Sequence, residues 1–126
     1  MLLFVYGSLM KNAPNHYVIE STSKFIAQGT IKATLYDLGV GFPGVVEEKN
    51  SDEVYGEVYE LSDDELDDID QFEGYNTGDK GDSLYIRKMT EVRTFKKETL
   101  KAWVYFLAPK RLKTFSHSII PGGRWV

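Results

Sequence analysis

Residues 84–107 read LYIRKMTEVRTFKKETLKAWVYFL. Leu84 to Thr94 and Leu100 to Leu107 are rich in β-branched and aromatic residues, and the short run Phe95-Lys96-Lys97-Glu98-Thr99 joins them. That composition predicts two strands paired antiparallel. Working outward, Glu53 to Leu61 sets Tyr55 and Tyr59 on one face and Val54 and Val58 on the other. With Val45-Val46 and a turn at Lys49-Asn50-Ser51-Asp52 before it, this stretch predicts a second hairpin. Thr30 to Leu38 alternates Ile31, Ala33 and Leu35 against Lys32 and Thr34, which is the period of a strand. Leu2 to Tyr6 reads as a buried strand, and His16 to Ser23 has a short helical pattern. Strands therefore dominate, and only Ser62 to Gly74 reads as a clear helix.

The chain has 126 residues, 42% hydrophobic and 13% aromatic, enough for one core, so residues 1–126 are expected to form one domain. A net charge of −4 disfavours nucleic acid or an anionic membrane as partner and suits a small neutral or zwitterionic ligand. With no cysteine there is no disulfide framework, thiolate zinc site or cysteine nucleophile. Met1 to Tyr6 is too short and lacks the basic leader of a signal segment, and no stretch approaches the roughly 18 apolar residues of a membrane span. A soluble cytoplasmic protein is expected. Asn76 to Ser83 is the one linker-like segment, and its central position reads as a loop.

The helix opens at Ser62 with Glu65 three residues on, the pattern of a capping box, and Gly74 supplies the stop. Setting Leu66 at zero and turning about 100° per residue puts Ile69 near 300°, Phe72 near 240° and Glu73 near 340°. Asp63, Asp64, Asp67, Asp68 and Asp70 fall at roughly 40° to 200°, the side that should face water. Glu73 alone among these acids projects into the apolar sector. An inward carboxyl loses hydration, its pKa rises, and it becomes able to accept and return a proton near neutral pH. The competing reading is a last-turn glutamate that frays outward or pairs with a lysine or arginine, and periodicity does not separate the two.

A second motif follows the first strand. In Tyr6-Gly7-Ser8-Leu9 the glycine lets the backbone turn sharply, so that successive N–H groups can converge on an anion or a developing oxyanion. By itself, Gly-Ser after a strand is an ordinary turn. The series Phe4-Val5-Tyr6-Gly7-Ser8-Leu9, Asn15-His16, Phe42-Pro43-Gly44-Val45-Val46, Val54-Tyr55-Gly56-Glu57-Val58-Tyr59, Ile69-Asp70-Gln71-Phe72-Glu73-Gly74 and Tyr85-Ile86-Arg87 is more specific. In that order it resembles the γ-glutamylcyclotransferase-like (AIG2-like) family over most of the chain.

The resemblance implies an α+β fold, a small mostly antiparallel β-barrel with flanking helices. It implies an enzyme that cyclises a γ-glutamyl group to 5-oxoproline and releases an amine or amino acid, with no cofactor. By the same resemblance Glu73 matches the family's general acid/base, Tyr6, Gly7, Ser8 and Leu9 the floor of the substrate site, and Tyr85 a tyrosine near the pocket. The expected partner is a small γ-glutamyl molecule, with no nucleic acid or membrane, and the oligomeric state is left open. Members often carry an arginine just after the turn, where this chain has Met10-Lys11. A non-catalytic module that keeps the pocket for a small acidic metabolite is the alternative. A purely structural β-domain with Glu73 in a salt bridge is a third, and it predicts no cavity joining Glu73 to residues 6–9.

Other signals carry less. Gly39 to Gly44 fits G-x-G-x-x-G, but a dinucleotide fingerprint must open a helix, and Pro43 with Val45-Val46 reads as loop into strand. Asp79-Lys80-Gly81-Asp82 lacks the spaced ligands of a calcium loop. His16 and His117, the only histidines, have no paired spacing for a metal, and His16 is expected to position its neighbouring loop. Ser8 as a nucleophile would need a histidine base, and Trp103, Tyr105 and Phe106 read as core. Residues 120–125 either close over the pocket or pack as an end strand or terminus.

Overall fold

The computed structural model describes residues 1–7, 9–11, 13–20, 23–48, 52–75 and 83–125. Ser8, residues 49–51 of the expected turn, and residues 76–82 of the central loop, with the Asp79 to Asp82 run, lie outside them. Among the described residues, eight strands and two helices run in the order β1 (Leu2–Val5), α1 (Tyr17–Glu20), β2 (Lys24–Lys32), β3 (Thr34–Asp37), β4 (Pro43–Val46), β5 (Glu53–Glu60), α2 (Asp63–Phe72), β6 (Tyr85–Thr94), β7 (Thr99–Leu107) and β8 (Ser118–Ile119). A 3-10 turn, Pro109–Thr114, follows β7.

Five strands close a barrel in the order β1-β5-β2-β6-β7, and β4-β3-β8 forms a second sheet. Every registered pairing is antiparallel except the seam, where β1 meets β7 in parallel at Leu3 and Trp103. The hairpin expected at residues 84–107 is present as β6 and β7, with Tyr85 opposite Leu107 and Arg93 opposite Thr99. Two expectations need correction. Val45-Val46 does not pair with Glu53 to Leu61: β4 pairs with β3, and β5 lies between β1 and β2. The single strand expected over Thr30 to Leu38 is two strands broken at Ala33, one in each sheet. The break lets the chain leave the barrel and lay β3 beside it.

The alternation in β5 sorts the core into two layers. Val54 and Val58 join Phe4, Ile31, Val92, Ala102 and Val104, drawn from all five barrel strands, so this cluster fills the barrel. Tyr59, on the other face, packs with Leu3, Val5, Leu66, Ile69, Tyr105 and Leu107 in the layer that seats α2 against the barrel wall. The tail packs away from this layer: Ile120 donates its N–H to the Leu35 carbonyl, Tyr55 donates its N–H to the Gly123 carbonyl, and the Arg124 guanidinium lies 3.8 Å from the Tyr55 ring centre. Among the described residues no helix is long and apolar enough to cross a membrane, and no group of three or more His, Cys, Asp or Glu could hold a metal ion.

Candidate active site

Helix α2 is closed at both ends by its own sequence. Ser62 accepts the Glu65 N–H at 3.2 Å, and the Glu65 carboxylate accepts the Ser62 N–H at 3.3 Å, completing the capping box. At the other end Gly74 takes φ +69°, a conformation easy only for glycine. Its N–H reaches the Gln71 carbonyl at 3.2 Å and the Tyr75 N–H reaches the Asp70 carbonyl at 2.8 Å, the two bonds of a Schellman stop. Glu73 is therefore the last residue of helical conformation (φ −83°, ψ −1°), with its N–H held by the Ile69 carbonyl at 2.8 Å.

The turn after β1 is fixed just as firmly. Met10 donates its N–H to the Gly7 carbonyl at 3.1 Å, and Lys11 donates its N–H to the Glu57 carboxylate at 2.7 Å. His16 Nδ1, as its N–H, donates to the Leu9 carbonyl at 2.8 Å, so this histidine does hold the loop. A side chain at Gly7 would meet the Pro43 ring at 2.8 Å, so only glycine lets the turn approach β4 this closely.

One cavity of about 310 Å³ joins these parts, and its walls include Tyr6, Gly7, Leu9, Glu73, Tyr85 and Tyr105. The structural reading that required no such connection is thereby excluded. Of the residues singled out in the sequence, Tyr6, Gly7, Leu9, Glu73 and Tyr85 border this space, and Ser8 lies outside the described residues. Glu73 is half-buried, and among the described residues no hydrogen bond or ion pair reaches its carboxylate. Lost hydration raises its pKa from 4.5 to about 7. Three phenols feel that charge. Burial first pushes Tyr6, Tyr85 and Tyr105 well above the ordinary tyrosine value, Tyr85 adds to this for Tyr6 and the bond to Asp70 for Tyr105, and Glu73 raises each further, so all three stay neutral.

The helical wheel is corrected at two residues. Asp70, placed on the water side, is 5% exposed, and Phe72, placed in the apolar sector, is 44% exposed. Asp70 sits at the border of the apolar sector and its partners come from other elements, so spacing within the helix does not reveal it. Tyr105 on β7 donates its hydroxyl to Asp70 Oδ1 at 2.5 Å, and Arg87 on β6 places Nη1 3.4 Å from Asp70 Oδ2. Tyr105 reads as core, and it is buried, yet its strand phase with Leu107 puts it in the layer beneath α2 and on the cavity wall.

Comparison with known proteins agrees with this architecture. The family profile described as γ-glutamyl cyclotransferase, AIG2-like, matches residues 3–126. A Methanocaldococcus jannaschii protein, provisionally named as a γ-glutamylcyclotransferase, is 36% identical over 105 residues, 82% of each chain. The γ-L-glutamyl-butirosin B γ-glutamyl cyclotransferase of Niallia circulans is 37% identical over 73 residues, 58% of this chain and 46% of that protein. Among solved structures, the crystal structure of YkqA from Bacillus subtilis superposes with a TM-score of 0.73 at 31% identity, covering 98% of this chain and 39% of that one.

Proposed function

Because the chain belongs to the γ-glutamyl cyclotransferase, AIG2-like family, a family of enzymes, we propose that it cyclises a γ-glutamyl amine or γ-glutamyl amino acid to 5-oxoproline with Glu73 as general acid/base. One observation carries the reading: the carboxylate raised to about pKa 7 shares a cavity with the turn after β1. A carboxyl of that pKa is matched to taking and returning a proton at neutral pH, which favours chemistry over a pocket that only binds.

In this reading the substrate's own α-amine is the nucleophile. Its nitrogen gives a proton to the Glu73 carboxylate and bonds to the γ-carbonyl carbon, closing a five-membered ring. The carbonyl oxygen takes the negative charge and lies against the backbone of the turn after β1, beside Gly7 and Leu9. As the oxygen re-forms its double bond, the bond to the departing nitrogen breaks and Glu73 returns the proton to that nitrogen. Folding the γ-glutamyl chain so that amine meets carbonyl makes the step intramolecular, which is worth several orders of magnitude in effective concentration. Tyr85 and Tyr6 border the bound γ-glutamyl group and shield it from water. Residues 1–126 form one domain in this reading, working on a small molecule in the cytoplasm.

The test is incubation with a panel of γ-glutamyl amines and γ-glutamyl dipeptides, followed by measurement of 5-oxoproline. Release of 5-oxoproline from at least one member, abolished by Glu73→Gln, is expected. No release from any member overturns the reading.

A further inference from the structure

The phenols around Glu73 share a property that their burial alone does not require: each spends its hydroxyl proton elsewhere. Tyr6 donates to the Tyr105 carbonyl at 2.6 Å, Tyr85 to the Pro43 carbonyl at 2.7 Å, and Tyr105 to the Asp70 carboxylate at 2.5 Å. The first two acceptors are backbone and cannot change. The third is a side chain three residues before Glu73 on the same helix, and it is held by Arg87, whose guanidinium carbon also stacks 4.6 Å from the Trp103 ring centre and 5.8 Å from that of Tyr75.

We propose that Asp70, held by Arg87, is a positioning residue for the reaction: by taking the Tyr105 hydroxyl proton it keeps that phenol from donating to Glu73 and leaves an oxygen lone pair, rather than an O–H, toward the cavity. The inference rests on the acid/base role given above to Glu73. An O–H aimed at Glu73 would stabilise the carboxylate and make it a weaker base. The same acceptor oxygen suits an incoming ammonium or amine N–H. Two acids one helical turn apart are thus given different partners. Asp70 has an arginine and a phenol, while Glu73 shares its cavity wall with Tyr6 just after β1, Tyr85 on β6 and Tyr105 on β7, each of which donates its hydroxyl elsewhere.

The experiment follows the Glu73 carboxyl directly by carbon-detected NMR titration, alongside the pH dependence of kcat/KM. In Asp70→Asn, Arg87 claims the amide oxygen and the amide NH₂ faces Tyr105, freeing the phenol proton for Glu73. The Glu73 midpoint should then fall by about one pH unit, and the acidic limb of kcat/KM with it. Tyr105→Phe should leave the midpoint within a few tenths of a unit of wild type, and Asp70→Asn should add no shift in that background. Removal of one buried charge threatens folding, so Asp70→Leu with Arg87→Met removes both, is neutral in net charge, and leaves the Tyr105 hydroxyl no acceptor outside the cavity. The same fall is expected there. A midpoint that does not move in either Asp70 variant, or a shift that persists in the Tyr105→Phe background, overturns the proposal. Because the titration needs no substrate, an inactive wild-type protein would count against the proposed function alone.

Discussion

With its pKa raised to about 7, Glu73 divides nearly evenly between acid and carboxylate at neutral pH. In the proposed reaction the carboxylate is the starting form, so kcat/KM should climb with pH to a midpoint near that value. A profile flat between about pH 5 and 8 would contradict Glu73 as the base. Stability runs the other way. The unfolded carboxyl titrates near 4.5, so the folded protein holds the extra proton between about 4.5 and 7 and loses stability as pH rises through that window. Glu73→Gln removes the cost of burying the charge. Denaturant unfolding above pH 7 should show the variant more stable than wild type by up to about 3 kcal/mol, an advantage that shrinks as pH falls from about 7 to about 4.5. The inward phase of Glu73 was legible from the spacing of Leu66 and Ile69, because a helix repeats its faces locally. Asp70 was not legible. Its burial depends on Arg87 and Tyr105, 17 and 35 positions further along, and nothing in the helix foretells an ion pair reached through folding.

Helix α2 earns its rigidity at its ends, and each end has a separate consequence. Ser62→Ala removes the capping box and should cost about 1 kcal/mol of stability, read by thermal unfolding, with little change in kcat because Glu73 lies at the far end. Gly74→Ala meets a backbone at φ +69° and should cost on the order of 1–2 kcal/mol. It should also lower kcat, since the Schellman stop fixes the residue just before it. Equal effects of the two substitutions on kcat would contradict this division. Hairpin β6–β7 was readable because both strands and their connection are contiguous. The partner of Val45-Val46 was not, because the turn-forming residues that follow it describe how the chain reverses and not which strand it then meets. Barrel closure makes that choice, giving β5 to β1 and β2 and leaving β4 to β3.

Across the whole molecule the barrel filling and the cavity share a wall. Phe4 is 1% exposed, packs in the barrel and also borders the cavity. Phe4→Ala should therefore cost about 3–5 kcal/mol and raise KM by loosening the floor under the substrate. An unchanged KM in the folded variant would separate the two spaces. The family resemblance made the barrel readable in outline, while the second sheet and the parallel seam depend on contacts between distant parts of the chain. That seam has a consequence for how the protein is born. The hydrogen bond from Tyr6 to the Tyr105 carbonyl spans 99 positions, and β1 meets β7 at Leu3 and Trp103. At a synthesis rate of ~5–20 residues per second, the first strand waits roughly 5–20 s for its last neighbour. Until then Leu3, Phe4 and Val5 have at most their β5 neighbour, and the other edge of the first strand stays open on the nascent chain. The cavity gains its Tyr105 wall only once β7 has been made.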